Sequence, residues 1–286
     1  MFAYILIIGH FIADFFLQSS KMAEEKIDNK TYLFIHSGIY TSVFAILNFG
    51  CLKHPSSTKS FFIIIITHFI IDYIRCKFDK KFNKEKHQFI SFIFDQVIHI
   101  GIILGTYNIL QLNKAFNDFY NDISTKSHFS EIIYCAFLFA LLMYPTAIFV
   151  KKLLSMLFSV DVSTIKFDDI AEENTKKSNN DLSDNKDVKN STTDEQTSQN
   201  KQKTNSTNTI TIHPNIGSTI GILERIITAI LLLCNQYAAI GLVLTAKSIA
   251  RFKQLEEQDF AEKYLIGTLT SLSISLIATL IIKNLI

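Results

Sequence analysis

The sequence predicts an all-α, polytopic transmembrane helix bundle of about seven spans, and three observations predict it. Of its 286 residues 48% are hydrophobic, and the mean hydropathy is positive, which is too apolar for an ordinary soluble domain. Apolar runs long enough to cross a bilayer recur along the chain. Histidines and aspartates four residues apart sit inside those runs, where ionisable groups are costly and are turned inward to be paired or liganded.

The first span covers residues 1–17. It lacks a basic leading segment, carries His10 and Asp14 inside its apolar run and has no clear small-x-small site after it, so it reads as a retained helix rather than a secretion signal. After a loop at Ser19–Thr31, the second span is Tyr32–Leu52. The third, Ser60–Ile74, is shorter and is helped by Arg75 and Lys77, whose long side chains can reach the headgroups. Phe89–Leu112 makes a fourth and contains Gly101-Ile-Ile-Leu-Gly105, a spacing that permits close helix approach and is also common by chance. A polar connection leads to a fifth span at about Ile132–Val150, which Pro145 is expected to kink.

From about Ser163 the composition changes. Between Asn174 and Thr209 the only apolar residues are Leu182 and Val188, so this segment cannot bury enough surface to offset ordering and reads as a disordered, flexible spacer. It divides the chain into a four-helix module (1–112), a fifth span with flanks (113–162), a polar linker (163–216) and a two-helix module (217–286). In the last of these, Thr219–Thr245 is a sixth span with Asn235 and Gln236 in its middle, and Tyr264–Ile282 a seventh. Along the seventh, Gly267, Ser271, Ser275 and Thr279 form a stripe of small residues suited to close packing.

Lysine and arginine concentrate after spans one, three and five, which by the positive-inside tendency makes those connections cytoplasmic and the N-terminus external. Lys247, Arg251, Lys253 and Lys263 run against that assignment. The protein is thus expected in an inner or plasma membrane, with its linker facing the cytoplasm and available to a partner there.

The candidate site comes from spacing. Residues four apart share one face of a helix, so His10, Asp14 and Gln18 form a polar stripe; His68 and Asp72 repeat the pattern, and Asp95 and His99 reverse it. His36 lies alone at the start of the second span. With helix directions alternating, all seven ionisable residues come to the same leaflet, and four helices can converge there much as facing helices build metal sites in bundles. Four imidazoles and three carboxylates suit zinc, iron or manganese, and are enough for one or two metals. Gln18 and Gln96 are candidate orienting groups. Glu224, Arg225, Lys247 and Arg251 are secondary candidates for an anionic headgroup or phosphate, with interfacial anchoring as the plainer reading. For any single His/Asp pair, a helix-packing contact is the simpler explanation; it is the recurrence at one depth that raises the site.

Other chemistries are excluded by what the sequence lacks. No basic cluster is interleaved with aromatics, so there is no nucleic-acid footprint, and the formal charge is only +2. Four scattered cysteines give neither a disulfide framework nor a structural zinc site. There is no Gly-x-Ser-x-Gly elbow and no phosphate-binding glycine loop.

The run His10-Phe-Ile-Ala-Asp14-Phe-Phe-Leu-Gln18, His36-Ser37, Thr67-His68-Phe-Ile-Ile-Asp72 and Asp95-Gln96-Val-Ile-His99 resemble the bacterial membrane-protein family known as domain of unknown function 3307. Longer members are also similar at Gly221-Ile-Leu-Glu224-Arg225, Lys247-Ser248-Ile-Ala-Arg251 and Tyr264-Leu-Ile-Gly267-Thr268, so the resemblance spans about 1–112 and 217–272. It implies a polytopic membrane protein with the same polar positions and brings no activity with it. From the residues, the first expectation is a metal-dependent hydrolase acting on a lipid or headgroup-level substrate, with Asp72 or Asp95 as general base. The alternatives are a metal-ion or proton transporter or sensor, and a membrane scaffold in which the pairs are packing contacts.

Overall fold

The computed structural model describes residues 1–82, 84–158 and 216–286. The expected linker lies outside the described residues, apart from Ile216. Among the described residues the protein is all-helical, with no strand. Helix α1 (Phe2–Phe11) runs directly into a π-helical turn, Ile12–Phe16. A short α2 (Ser20–Glu25) and the long α3 (Lys30–Cys51) follow, and both open on a polar cap. Ser19 Oγ accepts from the Met22 amide at 3.2 Å, and Asn29 Oδ1 accepts from the Thr31 amide at 2.9 Å, each satisfying a donor that a helix start leaves free. Next come α4 (Ser56–Lys81), α5 (Glu85–Ile109), the short α6 (Asp118–Ser124), α7 (Phe129–Leu142) and α8 (Tyr144–Phe158). The chain ends in α9 (Ile216–Leu233), α10 (Tyr237–Ala250) and α11 (Gln258–Lys283).

Helices α1, α3, α4 and α5 pack around one core, in which Phe2, Leu6, Tyr40, Phe44, Ile64 and Ile103 are each no more than 1% exposed. A second cluster, Leu138, Leu142, Ala229 and Ile282, joins α7 to α9 and α11. The outer faces are apolar: Phe34, Ile46, Phe62, Phe94, Val97 and Ile277 are all more than half exposed. A chain with buried ions inside and aliphatic and aromatic side chains outside has the polarity that lipid requires. Four described stretches are long and apolar enough to cross a membrane: Lys30–Cys51, Glu85–Ile109, Phe129–Phe158 and Gln258–Lys283.

Several expected boundaries move, each for a local reason. Helix α4 extends past Ile74 to Lys81 because Arg75 does not reach outward to headgroups; it turns inward to Asp79 and Asp95. The expected sixth span, Thr219–Thr245, is two helices. Asn235 adopts φ +61°, and the amides of Asn235 and Gln236 return to the carbonyls of Leu232 and Leu231 at 3.2 and 2.8 Å, the paired bonds of a left-handed helix stop. Helix α10, at 14 residues, is only about 21 Å long, short of the roughly 30 Å hydrocarbon core. The break at Pro145 falls where expected, with α7 ending at Leu142. A Cβ added at Gly101 or Gly105 would meet nothing within 4 Å, so that pair brings no described helix close; at Gly9 it would collide with Leu47, and α1 and α3 make the close approach there.

Candidate metal centre

Four helices deliver the seven residues to one interior point. His10 comes from the end of α1, Asp14 from the π turn, His36 from the first turns of α3, His68 and Asp72 from α4, and Asp95 and His99 from α5. All are buried, with Asp14 the most exposed at 6%. The π turn widens the helix locally, its Leu17 amide reaching back five residues to the Ile12 carbonyl at 2.9 Å. Such turns displace a side chain from the regular i, i+4 stripe, here that of Asp14.

At the centre, four ligand atoms converge. His36 Nε2 lies 3.1 Å from Asp14 Oδ1, 3.2 Å from Asp72 Oδ2 and 3.3 Å from His68 Nε2. His68 Nε2 lies 3.9 Å from the same Asp14 oxygen and 3.8 Å from the same Asp72 oxygen. Asp14 Oδ1 makes no aligned hydrogen bond despite these neighbours. Asp72 Oδ2 is served by Lys26, but the protons on the two Nε2 atoms do not satisfy the remaining contacts, and Asp14 Oδ1 is left over. The three distances from His36 Nε2 are close to the roughly 3.3 Å that separates ligands of a tetrahedral cation at 2.0–2.1 Å, and the two from His68 Nε2 to the carboxylates are longer.

The surroundings orient this set. The His68 ring lies flat against Tyr40, with centroids 3.5 Å apart and planes 7° from parallel. Gln96 donates through Nε2 to Asp14 Oδ2 at 3.1 Å and Asp95 Oδ2 at 3.0 Å, which fixes the orientation of its amide. Its oxygen, 3.1 Å from His10 Nε2, can only accept, so His10 carries its proton on Nε2, and Nδ1 accepts from the Tyr40 hydroxyl at 3.3 Å. Both nitrogens of His10 are thereby engaged. Gln18 takes an equivalent place at the other edge: with its amide oriented to satisfy both ends, it donates to the Asp14 carbonyl at 3.0 Å and accepts from Lys26 at 3.1 Å.

Two cations enter that the spacing argument did not select. Lys26, from the connection after α2, is 7% exposed and donates to Asp72 Oδ2 at 3.1 Å. Burial opposes its charge, but Asp72 and Asp14 more than offset that and hold the ammonium above its ordinary pKa. Arg75 donates to Asp95 Oδ2 at 2.7 Å and lies 3.5 Å from Asp79. Arg75 was legible as the residue three after Asp72, on nearly the same helix face; Tyr40 likewise follows His36 by four. Nothing local marks Lys26, whose approach depends on how the loop folds back. Because Asp72 and Asp95 are already bonded to cations, the geometry fits them better as ligands and balanced anions than as proton acceptors.

The groups able to hold a metal overlap: His10, Asp14 and His68; His36, His68 and Asp72; and Asp14, Asp95 and His99, with the atoms of each within 4.8 Å of one another. The secondary candidates lie elsewhere, in α9 and α10. Arg225 is 4% exposed and donates to the carbonyls of Leu142 at 2.6 Å and Met143 at 3.1 Å, and to Ser271 at 3.1 Å. It is therefore occupied inside the protein. Lys247 pairs with Glu224 at 2.6 Å, and Lys247 and Arg251 both lie over the Tyr264 ring.

Neither a curated protein nor a solved structure matches this chain at a significant level. A family model does match, and it covers the whole of the metal-competent cluster while leaving the C-terminal helices outside. Residues 2–129 match the model of the family described as "Protein of unknown function (DUF3307)", the one that the His/Asp motifs resemble.

Proposed function

We propose that this chain is an integral membrane metalloprotein that holds a divalent transition metal, zinc fitting best, between Asp14, His36, His68 and Asp72, and that the centre hydrolyses a phosphoester in a lipid or lipid-linked substrate. The observation that carries the reading is the convergence of Asp14 Oδ1, Asp72 Oδ2 and His68 Nε2 on His36 Nε2, at 3.1, 3.2 and 3.3 Å, more close contacts than the one proton that nitrogen can carry will serve. Charge supports it. Among the described residues, the lysines and arginines within ion-pair distance of Asp14, Asp72, Asp79 and Asp95 are Lys26 and Arg75, so buried carboxylates outnumber the cations paired with them and a divalent cation would balance the excess. When bound, such a metal supplies Lewis acidity and makes water nucleophilic near neutral pH. His10, Tyr40 and Gln96 hold the ligands in place, and Lys26 keeps Asp72 turned toward the centre.

A site is favoured over a permeation route because an apolar plug lies directly beyond it. Leu6, Phe44, Ile64 and Ile103 close the bundle, each at most 1% exposed, with Phe44 stacked on Tyr40. Position supports a substrate reached from one leaflet: Asp14 and His36 lie near helix ends, Asp72 and Asp95 lie about three turns inside the ends of α4 and α5, and Lys77, Lys80, Lys81 and Lys84 follow at those ends, on the side that charge bias makes cytoplasmic. An impermeant thiol reagent should reach a cysteine placed in 113–128 from outside intact cells and one placed in 19–29 only after permeabilisation; the reverse would invert the topology.

The activity test is incubation of zinc-loaded protein in mixed micelles with a panel of lipid phosphoesters. Turnover should disappear in His68→Ala/Asp72→Ala and after chelation, and return with zinc to the wild type alone. Zinc bound tightly with no turnover on any phosphoester would remove the hydrolase and leave a metal-holding membrane protein.

A further inference from the structure

Once Asp14, His36, His68 and Asp72 are assigned to one cation, an unused set of ligand atoms remains beside them. His99 is 3% exposed, and neither of its ring nitrogens has a hydrogen-bond partner. Asp95 Oδ1, equally buried, also has none. The two face each other, His99 Nδ1 standing 3.6 Å from Asp95 Oδ1, which is a ligand-to-ligand distance rather than a hydrogen bond. Asp14 completes the group, and it is the one carboxylate common to this set and the first centre. Gln96 ties Asp14 and Asp95 together by donating to Oδ2 of each, which keeps the two carboxylates side by side. The rings of His99 and His68 are 4.6 Å apart, so the two sets adjoin.

Charge decides when such a position can fill. One divalent cation already offsets the excess of buried carboxylate, and a second would leave the buried site net positive, a cost comparable to the one the first relieves. An anionic oxygen ligand removes that cost. The group also supplies three protein ligands and no fourth, which leaves a coordination position open for it.

We propose that Asp14, Asp95 and His99 form a second divalent-cation position, sharing Asp14 with the first, that fills only together with an anionic oxygen ligand of the phosphate class. This rests on the first cation being held as described above. The two cations flank the anion's oxygens, the arrangement that suits displacement at phosphorus. Asp95 is then a ligand, and Arg75, bonded to its other oxygen, fixes its direction.

The test is titration of detergent-purified protein, already holding one equivalent of zinc, with Mn²⁺ in the presence and absence of inorganic phosphate. Free Mn²⁺ is followed by electron paramagnetic resonance and retained zinc by elemental analysis. The expected result is negligible Mn²⁺ uptake alone, one equivalent with phosphate, and loss of that equivalent in both His99→Ala and His99→Gln with zinc unchanged. Uptake that ignores phosphate would overturn the coupling to an anion, and uptake that survives in both variants would overturn the site. Wild-type protein that retains no zinc would refute the first centre instead, so the two failures are distinct; retained zinc in the variants shows that they have folded.

Discussion

At the scale of single residues, the least expected participant is Lys26. A lysine in a loop between two spans reads as a solvated charge that marks the cytoplasmic side, and the sequence offers no reason to think otherwise. In the fold its ammonium is 3.1 Å from Asp72, whose side chain is fully buried. Removing one partner of a buried pair strands the other charge and costs about 3–5 kcal/mol. Lys26→Met should therefore lower the melting temperature of the metal-free protein sharply. Zinc should recover most of that loss, because the metal takes over as counter-charge to Asp72; thermal unfolding in detergent with and without zinc checks both halves. Recovery no greater than in the wild type would mean that Asp72 does not meet the cation. His10 makes the complementary point. Spacing marks it as a ligand equal to the rest, while its bonds to Gln96 and Tyr40 commit both nitrogens to holding other residues. Spacing reveals which side chains share a face, and only the neighbours across the bundle determine which lone pairs stay free.

At the scale of elements, the instructive case is the break between α7 and α8. Pro145 has no amide hydrogen, so the Leu141 carbonyl loses its helical partner, and Thr146 Oγ1 donates to it instead at 2.8 Å. The next two carbonyls, of Leu142 and Met143, are met by the Arg225 guanidinium arriving from α9. A charged side chain in an apolar helix thus serves as a cap for a distant helix end, consistent with the negative pole there. Arg225→Met should destabilise the protein by about 1–3 kcal/mol by removing the guanidinium that serves the Leu142 carbonyl, without changing zinc affinity, as read by parallel melting and metal-competition titrations. The small-residue stripe of α11 also has its explanation at this scale: Ser275 and Thr279 are fully buried, Ser275 donates to the Arg225 carbonyl at 3.2 Å, and a Cβ on Gly267 would stand 3.2 Å from Leu154. The sequence made that stripe legible through its four-residue period. It did not make the α9–α10 division legible, because an apolar run with Asn235 and Gln236 in its middle has the same hydropathy whether the asparagine is helical or left-handed.

At the scale of the whole molecule, the helical membrane architecture and the convergence of seven polar residues both follow from one physical constraint. Ionisable side chains cannot face lipid, so a sequence that places them at matching depth on consecutive helices has one way to hide them, which is against each other. That constraint made the site legible without any knowledge of side-chain contacts. It could not supply the charge balance, since Lys26 and Arg75 look like surface residues until the loops are folded, nor the displacement of Asp14 by the π turn. The C-terminal helices enclose the break at Pro145 and leave the cluster to α1, α3, α4 and α5, which agrees with the family match ending at residue 129.

The central claim is that His36, His68, Asp14 and Asp72 surround a metal, and X-ray absorption at the zinc edge on purified, zinc-loaded protein tests it most directly. The account predicts four nitrogen or oxygen ligands at about 2.0–2.1 Å with the multiple-scattering pattern of two imidazoles, reduced to one in His36→Ala. A shell of water oxygens with no imidazole signature, or zinc lost on simple dialysis of well-folded protein, would contradict it.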